Sequence, residues 1–153
     1  MVEGIYSLME SVGFTHPLHP AMTHAPMGMV IGMLLFGLLG LKWTDKHFSL
    51  AAYYCSVVAF ITVFPTAILG MLDWLHLLNG EWYPLIIVKM VLTVILATLL
   101  LISIILRNKG ASPPKLVILY ILCMACAGGL GSFTGPLCTL NAGPDPTLDR
   151  ILA

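Results

Sequence analysis

Histidine is the side chain best suited to hold a metal or a haem iron, and four of the five histidines here lie at the ends of two apolar stretches. His16, His19 and His24 precede or open the first stretch, and His76 follows the end of the second. Consecutive membrane helices run antiparallel, so this order gathers all four at one membrane face and leaves His47 at the other. Imidazoles on neighbouring antiparallel helices can flank a flat macrocycle, which leads to the expectation of bis-His haem b with His24 and His76 as the axial pair. His16 or His19 would serve a second haem, or else tie the connector down through loop carbonyls. In the segment HPLHP, Pro17 and Pro20 push His16 and His19 toward extended backbone, so a stiff connector over the bundle mouth is expected in place of helix.

Several neighbours suit the same chemistry. Asp73 lies three residues before His76, on one helix face, where a carboxylate could accept the ring N–H that does not bind iron and so fix the tautomer. Lys89 enters its stretch at a similar depth, where a buried ammonium needs a haem propionate, Asp73 or Glu81, unless it snorkels to the interface. Asp73 or Glu81 would also accept protons if a quinol were oxidised here. Trp74, Trp82 and Tyr83 gather at the same interface as bilayer anchors or as stacking partners for a quinone ring. Met22, Met27, Met29 and Met33 crowd His24, which leaves open a His/Met haem, a copper site or simple packing. Cys123 and Cys126 read as small packing residues, and no CxxCH string for covalent haem attachment occurs.

These residues need a scaffold, and composition names it. The chain has 59% hydrophobic and 9% charged residues and a mean hydropathy of +0.98, against about 25% charged in soluble domains. The formal net charge is +0, so there is no basic field to draw nucleic acid. Four apolar runs predict an all-α membrane protein, a four-helix bundle with spans at about 23–41, 50–74, 84–106 and 115–135. Thr23 is the expected N-cap of the first span, with Pro26 in its first turn, and Pro65 should kink the second. The first 13 residues read as an amphipathic helix on the membrane surface. GGLGSFTG, 128–135, would let the fourth helix approach a neighbour closely.

The basic residues of the short loops set the orientation. Lys42 and Lys46 flank the first loop, and Arg107, Lys109 and Lys115 flank the third, so these loops are expected in the cytoplasm. Both termini and the histidines then face the other side, the periplasm of a bacterial inner membrane. Lys89 is the sole charge well inside an apolar run and no inverted repeat is visible, which disfavours a transporter.

The string THPLHPAMTHAPMGMVIG, followed by FPTAILGMLDWLH, resembles a bacterial membrane family catalogued as domain of unknown function 2231. His16, Pro17, His19, Pro20, His24 and Pro26 fit its HPxHP block, and Gly70, Asp73, Trp74 and His76 fit its DWxH block. The resemblance implies companionship with respiratory redox modules such as Rieske-type iron–sulfur proteins and multihaem cytochromes c. The resulting expectation is a b-type haem electron-transfer subunit, passing electrons between menaquinone or ubiquinone and periplasmic partners in a larger respiratory complex, with oxidoreductase activity belonging to the assembly. A cofactor-free anchor or assembly subunit, or a copper or other transition-metal protein, is the alternative.

Overall fold

The computed structural model describes residues 18–43, 46–77, 82 and 84–132, with side chains from 22–43, 47–75, 82 and 84–132. Four helices account for nearly all of this: α1 (Leu18–Lys42), α2 (Lys46–Leu77), α3 (Pro84–Asn108) and α4 (Pro113–Ser132). Each contains a stretch long and apolar enough to cross a membrane. α1 packs on α2 and α4, and α3 packs on α4 and α2, so the helices form a four-cornered ring. The α1–α2 pairing is the most extensive and α2–α3 the least.

The spans follow expectation, but the start of α1 does not. Leu18, His19 and Pro20 are helical, which corrects the extended backbone expected for His19 and moves Thr23 from the N-cap into the helix. The reason is local: first-turn N–H groups have no intrahelical acceptor, so Pro20 sacrifices no bond there. Pro26 is instead an interior proline and strips the Met22 carbonyl of its usual donor. The Thr66 hydroxyl reaches across from α2 to within 3.4 Å of that carbonyl. α2 continues through Pro65 as one helix. The N-terminal segment expected on the membrane surface, and residues 133–135, lie outside the described residues.

Lipid is as apolar as leucine, so hydrophobicity cannot choose which face turns inward, and close packing of small residues decides. α2 turns in a seam of Ala52, Ser56, Ala59, Val63 and Thr66, at alternating steps of four and three, and then Asp73 seven residues on. α1 answers with Pro26, Val30, Met33 and Gly37. A Cβ on Gly37 would stand 2.6 Å from Cδ2 of Tyr120 on α4, so glycine is what admits that ring. Gly129 and Gly131 bring α4 close to Leu92 and Met27, as the glycine-rich segment led one to expect. Met33, Leu100, Val30 and Cys123 are fully buried mid-bundle. Aromatic rings mark both ends: Trp43 with Phe48 at 6.0 Å, and Trp74 with Trp82 at 4.7 Å.

The turn from α3 to α4 is a glycine-capped helix end. Gly110 takes φ +76°, its N–H donates to the Arg107 carbonyl at 3.1 Å, and the Ala111 N–H donates to the Leu106 carbonyl at 3.0 Å. This pair of bonds fixes the last turn of α3.

Candidate functional site

Three contacts set the register of α1 against α2. Gly40 lies against Phe48 and Ser49, Gly32 against Sγ of Cys55, and the Met22 carbonyl against Thr66. Position numbers at one depth therefore sum to about 88, which puts His24 level with Phe64. His76 lies twelve residues farther along α2, about 18 Å at the helical rise of about 1.5 Å per residue. The backbones of His24 and His76 are thus offset along the bundle axis, His24 well inside α1 and His76 in the last turn of α2.

Helical phase separates His24 further. His24 lies at steps of seven from Ile31 and Leu38, and all three are exposed. The buried stripe of α1, through Pro26, Val30 and Met33, is on the opposite side. A seven-residue step nearly repeats a face, so this outward placement is set by the backbone. The backbone of His19 lies in the first turn of α1 and that of His76 in the last turn of α2. His16, Glu81 and Tyr83 lie outside the described residues.

Asp73 and Lys89 lie near one end of the bundle, each on the inward seam of its helix. Asp73 is 8% exposed, on the inward seam of α2. Lys89 lies on the inward seam of α3, seven residues before buried Leu96 and fourteen before buried Ser103, and is itself half-buried. Asp73 is four residues before the end of α2 and Lys89 five after the start of α3, so both lie about 6–8 Å inside the same end of adjacent antiparallel helices. Neither is without a partner. Trp74, half-buried beside Asp73, packs at a tilt against exposed Trp82, which brings two of the three expected aromatic residues together.

The remaining candidates sit elsewhere. Met33 is a core side chain, and Met27 and Met29 pack against the same core. Cys123 is buried in that core, with Cys126 packed against it, both as free thiols. Among the described residues, no three His, Cys, Asp or Glu side chains gather to hold a metal ion. His47 is exposed at the opposite end.

The sequence reading missed Arg107, which it placed among the loop cations. Arg107 is on the inward seam of α3, seven residues after fully buried Leu100, and its Nε is buried without a hydrogen-bond partner. The seven-residue step from Leu100 was the available signal.

The chain matches the family described as predicted membrane protein (DUF2231) over residues 15–138, and it belongs to that family. No curated protein and no solved structure matches it.

Proposed function

We propose, with membership of this family as the premise, that the protein is a membrane-embedded redox subunit carrying haem b at its histidine end. The observation that carries the reading is the buried Asp73, one turn before His76, with Lys89 inward at the same depth on the next helix. A carboxylate so placed can orient the imidazole of an iron ligand, and an inward ammonium can neutralise a propionate. His76 is the anchoring ligand, and the HPLHP segment supplies the second axial ligand through His16 or His19. Quinone would meet the same end beside Trp74, with Asp73 or Glu81 taking its protons. By the basic residues at the far end, the chain lies in a bacterial inner membrane with the histidines toward the periplasm. Multihaem cytochrome c or iron–sulfur proteins are its expected partners there.

The outward face of α1 favours a second reading. His24, Ile31 and Leu38 form a stripe that a larger partner would cover, as in an assembly subunit without a cofactor. The copper reading has less support, because Met27 and Met29, two of its expected methionine ligands, pack against the core.

A dithionite-reduced minus air-oxidised spectrum with a pyridine haemochrome assay separates these readings. Haem b lost in His76→Ala but kept in His24→Ala is the expected result. A folded wild type, purified with its partners and free of haem, would overturn the cytochrome reading.

A further inference from the structure

The other end of the bundle has its own unsettled group. An arginine stays charged at every physiological pH, and a buried donor on it with no acceptor is costly. Arg107 is in that state: it lies within the apolar span of α3, and its Nε is out of contact with solvent and makes no hydrogen bond. Among the described residues, no carboxylate lies near it. Tyr120 on α4 is close enough to feel its charge, and the Ser103 hydroxyl, one turn below, donates to the Leu100 carbonyl at 2.7 Å. The sole carboxylate among the described residues, Asp73, is at the opposite end.

More positive charge surrounds the same point. Lys109 and Lys115 are exposed on either side of the α3–α4 turn. The glycine cap holds that turn in one shape, so Arg107 and Lys109 leave it in fixed directions. The N-terminus of α4 adds the positive end of its dipole. It offers no free amide cradle, because Pro113 and Pro114 lack N–H groups and the Lys115 and Leu116 N–H groups donate to the Ser112 carbonyl at 3.1 and 3.4 Å. Side-chain cations must therefore do the holding. The neighbouring cleft beside Tyr120, Gly37 and Ser49 has a volume of about 20 Å³, room for about one water, so the ligand belongs at the rim and not inside.

We propose that this rim binds a phosphate-bearing anion, either the phosphodiester of an anionic phospholipid headgroup or free phosphate, through the guanidinium of Arg107 with Lys109 and Lys115. A guanidinium fork matches phosphate oxygens in pairs, which an ammonium does not. Lipid sources are within reach because Arg107 sits at membrane depth and the two lysines sit at its edge.

The test uses the full chain in neutral detergent, with native mass spectrometry and thermal unfolding after addition of phosphatidylglycerol, phosphatidylcholine or inorganic phosphate. Phosphatidylglycerol should be retained and raise the unfolding temperature, and phosphatidylcholine should do neither. Arg107→Gln should weaken that binding about tenfold, equivalent to about 1.4 kcal/mol, with Arg107→Lys in between. Lys109→Gln/Lys115→Gln alters exposed positions alone, so it tests the site even if Arg107→Gln fails to fold, and it should weaken binding several-fold. Phosphatidylglycerol binding that inorganic phosphate cannot displace assigns the site to lipid, and stabilisation by phosphate itself assigns it to the free anion. Equal retention of both lipids, or unchanged binding in the substituted chains, would overturn the proposal. So would binding that emerges only in Asp45→Asn, since Asp45 in the α1–α2 connection would then be the true counter-ion.

Discussion

At the histidine end of the bundle, Asp73 and Lys89 turn inward from adjacent helices and each has a partner. At the basic end Arg107 also lies on the inward seam of its helix, yet its Nε has no hydrogen-bond partner. Both ends bring charge into a low-dielectric bundle, where an unmatched charge is expensive. The contrast shows that inward placement alone does not identify a finished site. At one end the inward charges each have a partner, whereas at the other a buried donor is left for the proposed ligand.

The largest test of the contrast is at Asp73. Asp73→Ala removes a partnered buried carboxylate and should cost about 3 kcal/mol, the upper end of the cost of leaving a buried polar partner unmatched. Unfolding in detergent would measure it. Shared depth and facing seams further predict that Asp73→Ala and Lys89→Met are non-additive, with a coupling of about 1–3 kcal/mol in a double-mutant cycle. A coupling near zero would mean that each engages a different group.

Next in size is Gly37→Ala, whose Cβ would stand 2.6 Å from the Tyr120 ring. Overpacking of this kind costs about 1–3 kcal/mol, and trimming the ring with Tyr120→Leu should return part of it. Arg107→Leu should have the opposite sign to Asp73→Ala. In neutral detergent it removes an unsatisfied buried donor and should raise stability by about 1 kcal/mol. With anionic lipid present that gain should disappear. The smallest effect is expected for Thr66→Val, which removes a hydroxyl that donates at 2.8 Å to the Thr62 carbonyl of its own helix and only at 3.4 Å to the Met22 carbonyl across the interface. A bond that long should contribute about 0.5 kcal/mol, at the bottom of the usual range.

The membrane spans were legible because a continuous apolar run of bilayer length has few other uses. The helical start of α1 was not, because the restriction that Pro20 places on His19 is real but yields in a first turn where no amide bond is lost. Facing was the harder problem. Leu38 and Ile31 are as apolar as Val30 and Met33, so hydrophobicity does not distinguish the outward stripe carrying His24 from the inward one. The small and polar steps along α2, Ala52, Ser56, Ala59 and Thr66, did carry that information, and they lead in register to Asp73. Arg107 escaped notice because its neighbour Lys109 fits a loop so well, although Thr93, Leu100 and Arg107 mark one face at steps of seven. The convergence of four histidines rested on topology alone. Topology fixes the end at which a side chain lies, but neither its depth nor its direction.

The buried middle of the bundle has an electrical consequence. Between Thr93 and Ser103 on α3, about 15 Å along the axis, the inward side chains are Leu96 and Leu100. The hydroxyls bordering that stretch donate back to their own helix, Thr93 to the Lys89 carbonyl at 2.8 Å and Ser103 to the Leu100 carbonyl at 2.7 Å. No chain of hydroxyls hands a proton through it. Along this face of α3 the apolar waist therefore offers no polar stepping stone between the two charged ends, and a voltage applied across the bundle would fall mainly over that low-dielectric stretch.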